Sequence, residues 1–194
     1  MRTLLQALLW RRVDVPGTEH FRLWQTPDGP RLEGTVVTEF DGVPLAVRYA
    51  VACSAVWETR AVQVEVESGA ENRTLELAAE GAGTGAGAGS GEWWVNGRRV
   101  GELAGCEDVD LGITPSTNTL PIRRLALGVG EEREVTAAWV RFPDLAVIAF
   151  PQRYTRVADG RYRYESRGGD FTADLETDEL GLVVNYSGLW ERVR

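Results

Sequence analysis

The sequence predicts a mostly antiparallel β domain with one short helix, and three observations carry that expectation. Apolar residues alternate with polar ones along most of the chain, Asx-Gly and Gly-Gly pairs divide the alternating runs, and one segment alone carries helix start and stop signals. In 45–53 the residues Leu45, Val47, Tyr49, Val51 and Cys53 share a face, and in 61–67 Val62, Val64 and Val66 oppose Gln63, Glu65 and Glu67. Such strands have one apolar and one wet side. The pairs Asp28-Gly29, Asp41-Gly42, Asn96-Gly97, Asp159-Gly160 and Gly168-Gly169 stand where hairpin turns are needed. Counting the runs between such signals gives about fifteen short strands, mostly joined as sequential hairpins, more than a simple sandwich requires.

The helical segment follows Thr117, Asn118 and Thr119, whose side chains can cap it. Pro121 suits a first turn, 122–127 has no breaker, and Gly128 can supply a left-handed stop. A helix over 119–127 is expected. Its Leu120, Ile122, Leu125 and Leu127 place it against the inner face of the sheet, because isolated helices below about 12 residues are marginal in water.

At 194 residues and 43% apolar content the chain can bury a continuous core as one domain. A net charge of −8 argues against duplex nucleic-acid binding, which needs a concentrated basic surface. All 21 basic residues are arginine, which excludes Schiff-base chemistry and a phosphate-loop ammonium. Residues 1–10 do not read as a signal peptide, because Gln6 interrupts the apolar run and Arg11 and Arg12 follow it. No segment approaches the roughly twenty apolar residues that span a bilayer. A cytoplasmic location is therefore expected, with Cys53 and Cys106 reduced and the sequons at Asn72 and Asn185 unused. The glycine-rich stretch 81–91 (GAGTGAGAGSG) reads as a flexible loop, since no Lys-Ser/Thr follows to make it a phosphate cradle.

Assembled catalytic motifs are missing. His20 is the one histidine, and the two cysteines are far apart without a Cys-x-x-Cys, so no zinc site is expected. Ser90 lacks the Gly-x-Ser-x-Gly context. Asp108 and Asp110 alternate in a strand-like run and would project from one face, where repulsion raises one pKa as in paired carboxylates. A glycosidase-like pair is one reading; a structural charge network with Arg123 or Arg124 is the other. Tyr162 and Tyr164 share one face while Arg161 and Arg163 share the other, and Tyr154 adjoins Arg153. Aromatic and arginine side chains together suit a ligand with an apolar body and a polar head, though core packing is an equal use.

The run 105–125 (GCEDVDLGITPSTNTLPIRRL) resembles the signature of the "putative glycolipid-binding" family of bacterial proteins. So do 137–145 (AAWVRFPDL), Gln152-Arg153-Tyr154, 171–175 (FTADL), 181–186 (GLVVNY), 18–23 (TEHFRL) and 32–34 (LEG), so the likeness covers nearly the whole chain. It implies a spiral β-roll, a many-stranded sheet wrapped around one α-helix, and a tight homodimer, which would also cover strand edges. It implies glycolipid binding and brings no catalytic residues and no cofactor. The leading expectation is non-enzymatic binding of a glycolipid or similar amphiphile. Candidate contacts are Asp108, Asp110, Asn118, Arg123 and Arg124 around the helix, with Trp139, Arg141, Tyr154 and Tyr164 on strands. The alternatives are a carbohydrate- or lipid-processing enzyme using Asp108 and Asp110, favoured if both face a pocket free of arginine, and a dimeric scaffold, favoured by a solid core.

Overall fold

A computed structural model describes residues 1–80, 91–166 and 169–193. The expected loop at 81–91 lies outside these residues except for Gly91, and so does Gly168 of the Gly168-Gly169 turn.

The alternating runs form fifteen strands: β1 (Thr3–Arg12), β2 (Gly17–Gln25), β3 (Pro30–Phe40), β4 (Val43–Cys53), β5 (Thr59–Ser68), β6 (Glu71–Glu80), β7 (Glu92–Val95), β8 (Arg98–Arg99), β9 (Asp108–Leu111), β10 (Glu132–Val140), β11 (Val147–Ala158), β12 (Arg161–Ser166), β13 (Phe171–Thr177), β14 (Val183–Tyr186) and β15 (Trp190–Arg192). They make one sheet in the order β8-β7-β6-β5-β4-β3-β2-β1-β15-β14-β13-β12-β11-β10-β9. Two meanders, β1 to β8 and β10 to β15, are joined edge to edge by antiparallel pairing of β1 with β15, Trp10 opposite Arg192. Asp41-Gly42 and Asn96-Gly97 both have positive φ at each residue, the geometry that matches strand twist in a two-residue hairpin. The alternation holds inside the sheet: Leu45, Val47, Tyr49, Val51 and Cys53 are buried, as are Val62, Val64 and Val66.

Only β9 breaks the antiparallel rule, running parallel to β10 with Asp110 opposite Trp139. A parallel pair needs a crossover rather than a hairpin. That crossover, 112–131, holds a 3-10 turn at Ser116–Asn118 and the helix α1 (Thr119–Leu125), the single α-helix among the described residues. The sheet rolls up on itself: the amide of Val109 on β9 donates to Thr59 Oγ1 of β5 at 3.0 Å, although β5 is fourth and β9 last in the sheet order. Consequently β9 and the second half of β10 are covered on both sides, with Asp108, Val109, Leu111, Ala137, Ala138 and Val140 all buried.

Helix α1 sits in the core, with Leu120 and Ile122 buried and the Thr119 hydroxyl donating to the Gly181 carbonyl at 3.0 Å. Its ends differ from the expected ones. No side chain caps its start; the 3-10 turn runs straight into it, and Asn118 Nδ2 donates backwards to the Pro115 carbonyl. It stops at Leu125 with Ala126 in the left-handed conformation at φ 46°, two residues before Gly128. The early stop turns Leu127 into the core, where it is buried, and leaves the Leu127 carbonyl to accept from Arg156 Nη1 at 2.8 Å. Gly128 instead begins the next turn, its amide donating to Glu131 Oε2 at 2.7 Å.

Candidate functional site

A pocket of about 280 Å³ opens where the parallel end of the sheet meets the aromatic face of β11 to β15. Residues directly opposite in a ladder share a face. The register therefore places Asp110 beside Trp139, Tyr154 beside Tyr164, Ser166 beside Phe171, and Tyr186 beside Trp190. Trp139 stacks on Phe150 with centroids 4.6 Å apart, and Tyr164 meets Phe171 and Tyr186 edge-on at 6.1 and 6.3 Å. The crossover closes the far side with Gly112, Thr114 and Asn118. Gly112 leaves room for the indole: a Cβ there would lie 2.7 Å from Trp139 Nε1. Three wider hollows elsewhere each hold at most one aromatic side chain, Tyr162 in one and Trp94 in another.

Polar groups enter this aromatic wall at fixed points. Asp110 Oδ2 accepts from Gln152 Nε2 at 2.6 Å, while Oδ1 has only a long contact with the Thr117 hydroxyl at 3.4 Å. Burial lifts the Asp110 carboxyl to about 6, against the pull of those two donors. Asn118 Oδ1 accepts from Tyr154 Oη at 2.9 Å, which fixes the amide and leaves one of its N–H groups uncommitted once Pro115 has the other. Burial holds the phenols of Tyr154, Tyr164 and Tyr186 well above their ordinary range, so they stay protonated.

Of the nine residues singled out in the sequence, the structure brings Asp110, Asn118, Trp139 and Tyr164 together in this pocket and places Tyr154 behind Asn118. It separates the two aspartates by role. Asp108 is clamped by Arg124, Nε to Oδ1 at 3.1 Å and Nη2 to Oδ2 at 2.6 Å, and Arg124 also reaches Glu107 at 2.7 Å. Burial pushes the Asp108 carboxyl up and the guanidinium pulls it back. The charge network expected beside the helix is thus built on Arg124 alone, since Arg123 instead lies over the Trp57 ring at 5.4 Å and donates to the Glu179 carbonyl. Arg141 pairs with Asp144 at 2.5 Å. Arg161 and Arg163 are exposed opposite Glu176 and Asp174, while Tyr162 and Tyr164 are buried, so arginines and aromatics occupy opposite faces, as their alternation predicted.

Behind the pocket lies a carboxyl that the sequence reading passed over. Glu19 is fully buried; Thr114 Oγ1 donates to its Oε2 at 2.7 Å, and the Tyr49 hydroxyl makes a short hydrogen bond to Oε1. Tyr49 also bonds Ser116 Oγ at 2.6 Å. Its ring crosses β3 over Gly34, where a Cβ would lie 2.2 Å from the ring. Burial without a cationic partner raises Glu19 to about 8. The alternation carried the signal, because Glu19 shares the inward face of β2 with Phe21 and Leu23.

Cys53 and Cys106 are free and buried, and burial raises the Cys106 thiol to about 11 and Cys53 further. His20 is exposed on β2. Among the described residues no group of three His, Cys, Asp or Glu side chains converges as a metal site would need, and no helix is long and apolar enough to cross a membrane.

One sheet rolled into a spiral, closed on a buried helix and opening in a pocket of aromatic and polar side chains, defines a β-roll. The family described as "Putative glycolipid-binding" matches residues 7–192, and the chain belongs to it. A crystal structure of a DUF1089 family protein from Pseudomonas aeruginosa is similar, with 34% identity, a TM-score of 0.80 and 95% of each chain covered. No curated protein matches.

Proposed function

We propose that this chain is a non-enzymatic binding protein for a glycolipid or similar amphiphile, with the polar head in the pocket around Asp110. The observation that carries this reading is the pocket itself, which Asp110, with one weakly bonded carboxylate oxygen, and Asn118 line together with a wall of aromatic rings. Such a mixture of apolar lining and a few fixed polar groups is the usual make-up of a small-ligand site. The family description supports the ligand class. Catalysis by a thiol finds no support, since both cysteines are buried with raised pKa and His20 is exposed on the outer face.

Binding to the folded state raises Tm by mass action, by roughly 2.7 kcal/mol of stability at a hundredfold excess over Kd. A melting-shift screen of glycolipids and fatty acids should give shifts that Trp139→Ala abolishes. Failure of every amphiphile to shift the melt would discard the reading. One observation favours an enzyme instead: Asp110, near 6, is suited to proton transfer in a pocket. Turnover of an aryl glycoside that Asp110→Asn removes would establish that alternative. Against it, Asp108 is neutralised by Arg124 and gives Asp110 no catalytic partner.

Assembly is part of the proposal. Ala52, Ala61, Ala78 and Trp94 are opposite one another across β4, β5, β6 and β7 and form a row of small side chains on the outer face, ended by one indole. A row of that kind suits a second copy of the chain.

A further inference from the structure

We infer that the pocket takes one uncharged sugar ring, laid against the Trp139–Tyr164 wall with Asp110 Oδ1 accepting from its hydroxyls, and that it turns away acidic head groups and acyl chains. The inference rests on the proposed site and names the part of the ligand that enters it.

Size comes first. Drug-sized ligands occupy pockets of about 300 to 1,000 Å³, and this one, at about 280 Å³, falls just below that range. A single six-membered ring fits; a long alkyl chain would have to remain outside.

The donors and acceptors narrow the chemistry. Thr114 is spent, its hydroxyl donating to Glu19 and accepting from the Ser116 amide at 3.0 Å. Asp110 Oδ2 is taken by Gln152, and Asn118 Oδ1 by Tyr154. Of these polar groups one acceptor, Asp110 Oδ1, and one donor, the second Asn118 N–H, remain, beside the Trp139 indole N–H and the Tyr186 and Ser166 hydroxyls of the aromatic wall. A vicinal pair of hydroxyls satisfies both at once, because each hydroxyl donates and accepts. The C–H face of a sugar ring carries partial positive charge and suits the negative face of an aromatic ring. An acyl chain would desolvate Asp110 and Asn118 without replacing their bonds.

Charge excludes the acidic head. Among the described residues no arginine lines the pocket. The nearby guanidiniums are already committed, Arg124 to Asp108 and Glu107 and Arg141 to Asp144. The carboxylate of Asp110 would repel an anion in surroundings that screen it poorly.

Titration calorimetry with a panel of methyl hexosides, a methyl glucuronide and a short fatty acid tests this. At least one neutral hexoside should bind, with the glucuronide tenfold or more weaker and the fatty acid unbound. Asp110→Asn, which keeps an acceptor for Gln152, should weaken hexoside binding by tenfold or more without changing the melt by more than a few degrees. Should Asp110→Asn not fold, the wild-type protein still answers, because hexoside affinity should rise from pH 5 to pH 7.5 as Asp110 ionises. Equal or tighter binding of the glucuronide or the fatty acid, lost in Trp139→Ala, would overturn the neutral-sugar assignment and leave the site standing. No binding by any member, with intact glycolipids also inert in the melting screen, would remove the site as well.

Discussion

Glu19 is where a single residue carries the most consequence. It is an acid whose folded-state value, about 8, stands above the ordinary 4.5 because burial penalises its charged form. Below pH 4.5 both folded and unfolded chains hold the proton and the residue costs nothing. As pH rises toward 8 the unfolded chain gives its proton up while the folded chain keeps it, so stability falls across that window, by about 5 kcal/mol at its end. Glu19→Gln keeps the hydrogen bonds without the charge. It should match the parent in urea denaturation at pH 4.5 and exceed it by several kcal/mol at pH 8. Asp110 adds a loss of the same sign up to about pH 6 in both proteins, so their difference isolates Glu19. Parallel stability curves would show that Glu19 ionises in place. The inward direction of Glu19 was legible from its spacing to Phe21 and Leu23. Its partner was not, because nothing local links it to Tyr49 thirty residues away, across a ladder in which Gly34 supplies the gap.

At the scale of elements, the strands and the existence of the helix were written in the alternation and the turn pairs, and the count of fifteen matches. The helix boundary was not. Gly128 is the residue that local propensity offers as a stop, yet the chain stops at Ala126, because carrying the helix on would turn Leu127 away from the core in which it is buried. Tertiary burial outweighs the cost of a left-handed alanine, which is about 1 kcal/mol. Ala126→Gly should therefore stabilise the protein by about that amount, whereas Gly128→Ala, whose new Cβ meets only the flexible end of Glu131 at 3.2 Å, should change stability by less. Chemical denaturation of the two variants decides it, and the reverse order would place the true strain at Gly128. The same limit applied to the site. The period of two put Asp108 and Asp110 on one face, and pairing with Arg123 or Arg124, one of the two readings of the sequence, holds for Asp108 through Arg124; Gln152 of β11, which meets Asp110, is a partner that only the rolled sheet supplies.

For the whole molecule, the open question of shape is what covers the outer face. The row from Ala52 through Ala61 and Ala78 to Trp94 offers a second copy an approach with little side-chain entropy to lose. Light scattering should give twice the 21.4 kDa chain mass, and Ala61→Arg should return it to one chain while leaving the fold intact. A monomer at high concentration, or a dimer indifferent to Ala61→Arg, would move the interface elsewhere or remove it. The row was invisible in the sequence, since alanines at 52, 61 and 78 align only through the hairpin registers.

The seam between β1 and β15 governs how the chain can be born. Arg11 and its ladder and ion-pair partner Glu191 are 180 residues apart, and everything between them must leave the ribosome before the first strand finds its second neighbour. At the usual pace of synthesis, roughly 5 to 20 residues per second, the nascent β1 edge waits on the order of ten to forty seconds. An open edge is a template for a stranger's strand, and charges at its end blunt that hazard; Arg11 and Arg12 stand at the end of β1 where β15 will pair. Trp190, a wall of the pocket, arrives in the same last step. The wall of the pocket is therefore complete only when β15 closes the seam.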